Sequence, residues 1–189
     1  MIRIGILGDI GSGKSYVAKN FGYPVFNADI VVGKLYKNDK KIFLKLNKIL
    51  PKYIFSSPIK KEEILKAILS NKPNLKKIVK VVHFEVRKKM NIFLKNHKNK
   101  KAVVLDIPLL LENKINQEGD VLIFVQSKKS DIIKRLKKRP NFNSKLIKKF
   151  KNIQLPLDYK RKKSKFIIKN NFTKKSVKSE IRKVIKKLF

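Results

Sequence analysis

A short apolar run, Ile2-Arg3-Ile4-Gly5-Ile6-Leu7, passes directly into Gly8-Asp9-Ile10-Gly11-Ser12-Gly13-Lys14-Ser15. The second segment fits G-x-x-x-x-G-K-[ST], and its place in the chain constrains the fold more than the match itself. A strand feeding a glycine-rich turn, with Tyr16-Val17-Ala18-Lys19 free to continue as a helix, is the context of a phosphate cradle. Glycine admits positive φ and lets successive N–H groups approach an anion. A helix starting near Gly13 aims its first N–H groups and its positive dipole end at the same point. In that arrangement Lys14 reaches the β- and γ-phosphates, and the Ser15 hydroxyl is a Mg2+ ligand. The alternative is a glycine turn with no ligand; residue types, spacing and flanking pattern all favour the cradle. The expected ligand is a nucleoside triphosphate, held by Gly8, Gly11, Ser12, Gly13, Lys14, Ser15 and Tyr16.

At 189 residues the chain has the length of one ordinary domain, with room for a proper core and a small insertion. Hydrophobic residues make up 42%, too many for a disordered chain. The absence of cysteine excludes a disulfide framework and a thiolate metal site. No apolar stretch reaches the length of a membrane span, and a strand that starts at the N-terminus leaves no room for a signal peptide. A soluble cytoplasmic protein, without a membrane partner, is the expectation.

The net charge of +36 points superficially to nucleic acid. Yet only six of the 49 basic residues are Arg, and the lysines are spread along the whole chain. Asn, Ile and Phe are abundant too, while Ala is scarce, as an AT-rich coding sequence would favour. Most lysines therefore read as solvated surface. Non-specific polyanion binding in dilute salt follows from the charge, and no specific nucleic-acid partner is expected.

Apolar runs alternate between short β-rich segments and longer helical stretches, the pattern of an α/β domain with a parallel sheet. Strands are predicted at 3–7, 24–26, 102–106, 121–125 and 166–168. Helices are predicted at 14–20, 31–36 with an extension, 61–69, 74–95, 129–138, 144–153 and 174–188. Ser130 and Asp131 supply cap chemistry at the start of helix 129–138. Over 74–95 the residues Leu75, Ile78, Val79, Val82, Val86, Met90 and Phe93 recur at three- and four-residue steps, a single buried stripe. The segment from about 50 to 95 is nearly all helical and lies between the second and third strands. Insertions of that kind often form the second-substrate lobe of a phosphate-transfer enzyme.

Further patterns follow the loop in order. Asn27-Ala28-Asp29 comes after the second strand, and His83-Phe84-Glu85-Val86-Arg87 lies in the long helix. Ile107-Pro108-Leu109-Leu110-Leu111-Glu112 follows the strand ending at Asp106; Arg135, Arg139, Gln154 and Ile168-Lys169-Asn170 come later. In this series, over nearly its whole length, the chain resembles the dephospho-coenzyme A kinase family. That family's patterns are T-G-G-I-G-S-G-K-S-T, D-A-D, H-P-x-[VI]-R, I-P-L-L-F-E, and R-x-x-x-R followed by Q and I-x-N.

The resemblance implies a three-layer P-loop NTPase fold over 1–189, with an inserted helical acceptor lobe at about 50–95 and a lid at about 139–163. It implies ATP-dependent phosphorylation of the 3′-hydroxyl of dephospho-coenzyme A, with Mg2+, by a monomer or small homo-oligomer. The alternatives are another small P-loop kinase acting on a nucleotide or nucleoside, or a basic P-loop nucleic-acid-binding protein.

Individual roles can then be argued from chemistry. Asp29 stands just past the second strand, at the carboxyl edge where doubly wound proteins place ligands, and can accept the proton of an attacking hydroxyl. It also suits a helix N-cap before Ile30. Asp106 ends a buried run as a Walker-B-like acid would, giving a second metal ligand beside Ser15. Arg139, ahead of the flexible-looking Pro140-Asn141-Phe142-Asn143, fits a lid arginine that neutralises developing charge alongside Lys14. Its being Arg in a Lys-rich chain favours a role for the bidentate fork, and the same holds for Arg87. His83 and Arg87 are four apart and share a helix face, which the resemblance assigns to the coenzyme A moiety. Pro108 and Glu112 shape the turn after the third strand, the acid meeting substrate or a neighbouring cation.

Several positions depart from the family pattern. Tyr16 replaces Thr, Phe84 replaces Pro, and Lys165 stands near the usual C-terminal A-D. Asn27 replaces the first acid of D-A-D, so a role needing two carboxylates there is lost. Asp9 replaces Gly and brings negative charge near the phosphates unless its side chain turns outward.

Overall fold

Runs rich in Ile and Val suit a pleated, buried backbone, and five of them form strands in the computed structural model, which describes residues 1–140 and 142–189. These are β1 (Ile2–Gly8), β2 (Val25–Asn27), β3 (Ala102–Asp106), β4 (Val121–Gln126) and β5 (Phe166–Lys169). They pair in parallel in the order β2-β3-β1-β4-β5. The central β1, β3 and β4 are buried almost throughout, as strands covered on both faces must be. Each predicted strand is found within one or two residues of its observed ends.

Among the described residues the helices are α1 (Lys14–Lys19), α2 (Ala28–Asn38), α3 (Lys40–Ile49), α4 (Lys61–Ser70) and α5 (Lys72–Asn96). They continue with α6 (Lys129–Lys137), α7 (Ser144–Lys151), α8 (Leu157–Lys162) and α9 (Lys174–Leu188). Two of them differ from the sequence reading in kind rather than by a residue. α3 was expected only as an extension of α2, and α8 was not expected. The cap expected from Ser130 and Asp131 is also absent: Lys128 is the N-cap of α6, without a side-chain bond, and Asp131 sits in the first turn. Asn141, within the stretch expected as a lid, lies outside the described residues.

Contacts divide the chain into two compact units. The first comprises Met1–Asn27, Asn96–Asn143 and Ile153–Phe189; the second comprises Ala28–Lys95 and Ser144–Asn152. In the first, one sheet face buries Ile4, Ile6, Ile123 and Val125 against Val17 and Ala18 of α1 and Val177, Ile181 and Val184 of α9. Burying a side chain of that size stabilises by about 1.5–3 kcal/mol, so this layer supplies much of the unit's cohesion.

The second unit is helical. Leu75, Ile78, Val82, Val86 and Met90 of the α5 stripe are buried, while Val79 and Phe93 lie at its margin. Polar groups lock its ends. Buried Asn74 donates to the Ala67 carbonyl at 2.8 Å, joining the start of α5 to α4. The Glu63 carboxylate takes the N–H groups of Phe55 and Ser56. The Lys149 ammonium of α7 donates to the Ile68 and Leu69 carbonyls at 2.7 and 3.0 Å, capping the α4 C-terminus as a cation should.

Candidate active site

The glycine pattern of residues 8–15 sets the backbone of the loop between β1 and α1. Gly8, Gly11 and Gly13 all have positive φ, at 146°, 85° and 89°. Gly13 is the N-cap of α1 in the left-handed region, and no side chain caps the helix. The first N–H groups of α1 therefore have no intrahelical partner, the condition under which a helix start receives an anion.

Side chains fix the loop further. The Lys14 ammonium is hydrogen-bonded to the carbonyls of Gly8 at 3.2 Å and Asp9 at 2.7 Å, which sets its charge over the loop. Ser12 is only 1% exposed. Its hydroxyl oxygen has no hydrogen-bond partner among the described residues. The Asp9 carboxylate accepts the N–H of Ile10 at 2.7 Å, a bond local to the loop. Ser15 and Tyr16 lie on exposed positions of α1.

At the same carboxyl edge, Asn27 of β2 stands in register with Asp106 of β3. Asp106 is 3% exposed and accepts a hydrogen bond from Asn27 Nδ2 at 2.5 Å. A carboxamide thus meets the carboxylate where an acid in the family's D-A-D would place two negative charges side by side. One carboxylate and a hydroxyl suit Mg2+, which takes few protein oxygens and completes its shell with phosphates and water. Among the described residues no group of three His, Cys, Asp or Glu side chains gathers as a metal cluster.

Glu112, in the turn after β3, has a buried partner that the sequence did not reveal. Lys160 of α8 is 1% exposed, and its ammonium lies 2.6 Å from Glu112 Oε1, which also takes the Leu155 N–H at 2.9 Å. Pro108 begins that turn. Arg139 is exposed, one residue past the C-cap of α6. The contact to an aromatic ring belongs instead to Arg135, whose guanidinium lies 4.4 Å from the centroid of Phe172. Lys160, Ser127 and Phe172 escaped the sequence reading. A lysine reads as surface, and nothing in the local pattern marks the other two.

The remaining site residues lie in the second unit. Asp29 is exposed in the first turn of α2, which begins at Ala28 with no loop after β2. It is therefore not an N-cap, and a carboxylate there complements the helix dipole. His83 is half-buried on α5, and its Nε2 atom is buried without a hydrogen-bond partner among the described residues. Arg87 follows one turn later.

Burial, and then the Arg87 charge, hold the His83 imidazole below its ordinary value of 6.5. Between the folded and unfolded values the unfolded chain binds the extra proton, so stability rises with pH across that window. The expected result is full stability above about pH 6.5 and a loss as pH falls below it. His83→Gln should flatten that loss in urea titrations run at a series of pH values. An unchanged acid slope in the variant would remove His83 as its source.

A parallel sheet ordered β2-β3-β1-β4-β5, with a G-x-x-x-x-G-K-S loop joining β1 to α1, is the scaffold of a P-loop kinase. A family model for dephospho-CoA kinase matches residues 2–176. The dephospho-CoA kinase of Wolbachia sp. subsp. Brugia malayi is 35% identical over 190 residues, covering 98% of this chain and 97% of that protein. The chain belongs to the dephospho-CoA kinase family. The solved dephospho-CoA kinase from Campylobacter jejuni matches with a TM-score of 0.61 at 26% identity, over 98% of this chain and 96% of that one. Shikimate kinase from Bacteroides thetaiotaomicron is similar in fold alone, at 11% identity and a TM-score of 0.51, over 99% and 98% of the two chains.

Proposed function

We propose that the chain transfers the γ-phosphoryl group of ATP to the 3′-hydroxyl of dephospho-coenzyme A, giving coenzyme A and ADP. The observation that carries this is the phosphate loop at the carboxyl end of β1 in a chain of this family. The loop N–H groups and the Lys14 ammonium hold the β- and γ-phosphates and neutralise their charge. Asp29 accepts the proton of the acceptor hydroxyl as its oxygen bonds to the γ-phosphorus. The bond from that phosphorus to the bridging oxygen breaks, and ADP leaves with the electron pair. Arg139 adds positive charge to the transferring group. His83 and Arg87 bind the coenzyme A moiety, and Pro108 with Glu112 shapes the turn beside β3. Ser15 and Asp106 would hold Mg2+, which when bound draws charge from the phosphates and lowers the cost of transfer.

The helical stretch at about 50–95, part of the second unit, serves as the acceptor lobe in this reading, and residues at about 139–163 act as the lid. We place the protein in the cytoplasm as a monomer or small homo-oligomer without a specific nucleic-acid partner. Among the described residues no helix is long and apolar enough to cross a membrane.

The test is an assay of purified protein with ATP, Mg2+ and a panel of acceptors. Phosphorylation is expected with dephospho-coenzyme A and not with nucleoside monophosphates or shikimate. Activity on a nucleoside monophosphate and none on dephospho-coenzyme A would overturn the proposal.

A further inference from the structure

Two side chains from different strands converge on one carbonyl of the phosphate loop. Asn170, directly after β5, donates from Nδ2 to the Ser12 oxygen at 2.8 Å. Ser127, directly after β4, donates from its hydroxyl to the same oxygen at 3.0 Å. Asn170 is 3% exposed, and its own Oδ1 accepts the Phe172 N–H at 2.8 Å, so the carboxamide cannot turn without losing a second bond. A buried carboxamide held at both ends is a rigid support.

Gly13 leaves the room for it. A Cβ on Gly13 would lie 2.4 Å from Asn170 Nδ2, closer than non-bonded atoms approach. The glycine therefore answers two demands, its φ of 89° and the close approach of Asn170. The peptide joining Ser12 to Gly13 is planar, and in a trans peptide the N–H points opposite to the C=O. Pinning the Ser12 carbonyl toward Asn170 and Ser127 consequently turns the Gly13 N–H away from both, as a fixed donor at the start of α1.

We propose that Asn170, seconded by Ser127, is a positioning residue that orients the Gly13 amide for the phosphates of the nucleotide. Neither side chain needs to touch ATP. Their effect passes through the backbone, and it preorganises a donor that would otherwise rotate with the flexible glycine. This rests on the reading that residues 8–15 form the phosphate site.

The experiment is calorimetric titration of the full chain with inorganic tripolyphosphate and with ATP, at physiological ionic strength so that loose lysine binding is screened. Asn170→Asp keeps the acceptor for Phe172 but sets an oxygen against the Ser12 carbonyl. It should weaken both ligands by about tenfold, and Ser127→Ala by about threefold. The KM for dephospho-coenzyme A should stay within about twofold, a split that general unfolding would not produce.

Unchanged tripolyphosphate affinity in both variants overturns the inference, as does a loss for ATP alone, which would put Asn170 at the base or ribose instead. A parallel rise in the KM of both substrates also overturns it. Should Asn170→Asp not fold, Ser127→Ala decides in the same way. Lys14→Ala separates the two readings. If it binds tripolyphosphate as well as the parent, the loop is not the phosphate site; if only Asn170→Asp and Ser127→Ala bind normally, the positioning role alone fails.

Discussion

Asp29→Asn is expected to lower turnover by about a thousandfold while ATP affinity stays within about twofold. The substitution keeps the size of the side chain and removes its negative charge together with its capacity to take a proton. Asn is tolerated near helix starts, so α2 should form as before. Single-turnover measurements with prebound ATP isolate the transfer step, and direct titration checks the affinity. Turnover within about fivefold of the parent would be too small an effect for the loss of a general base and would take Asp29 out of that role.

The second large effect concerns stability. Lys160→Met is expected to cost about 3–5 kcal/mol, since it leaves Glu112 as a buried carboxylate without its cation. Only the Leu155 N–H would remain on Oε1, and Glu112 Oε2 is already buried with no partner among the described residues. For a chain of this size the melting temperature should fall by roughly 10 °C. Combining Lys160→Met with Glu112→Leu should recover most of the loss, because an apolar pair of similar volume needs no charge compensation. A single variant that melts within about 2 °C of the parent would mean that water reaches the pair in solution. Thermal melting of the two single variants and the double variant decides the matter, with their coupling measured as a cycle.

These two residues also show where the sequence could and could not be read. The central strands were legible because β-branched runs buried on both faces leave a continuous apolar signal, as in Val103-Val104-Leu105. α5 was legible because its stripe, from Leu75 to Phe93, repeats over about five turns. α8 was not, for a physical reason: its one buried residue is Lys160, and a hydrophobic pattern cannot announce a buried cation. α3 was obscured by its lysines, since only Ile42 and Leu46 of its ten residues are buried. Its start had a signal after all. Asp39 accepts the Ile42 N–H, an ordinary acidic cap.

The same contrast runs through the candidate site. The loop from Gly8 to Ser15 was visible because its chemistry sits in one contiguous stretch. The supports of that loop were not, since Ser127 and Asn170 lie more than a hundred residues away and meet Ser12 only after the sheet has formed. Asn27 was read as a lost acid. Its bond to Asp106 depends on strand register, which no local pattern encodes.

The grip of Lys149 on the last carbonyls of α4 has a bearing on how this architecture can be rearranged. The helical unit is not one uninterrupted stretch of chain, because its final helix returns to it after the excursion through β3, β4 and α6. Residues 28–95 transplanted into another scaffold would leave behind the cation that closes the end of α4. Shuffling this helical unit between relatives as a cassette would therefore require exchanging two separated segments together.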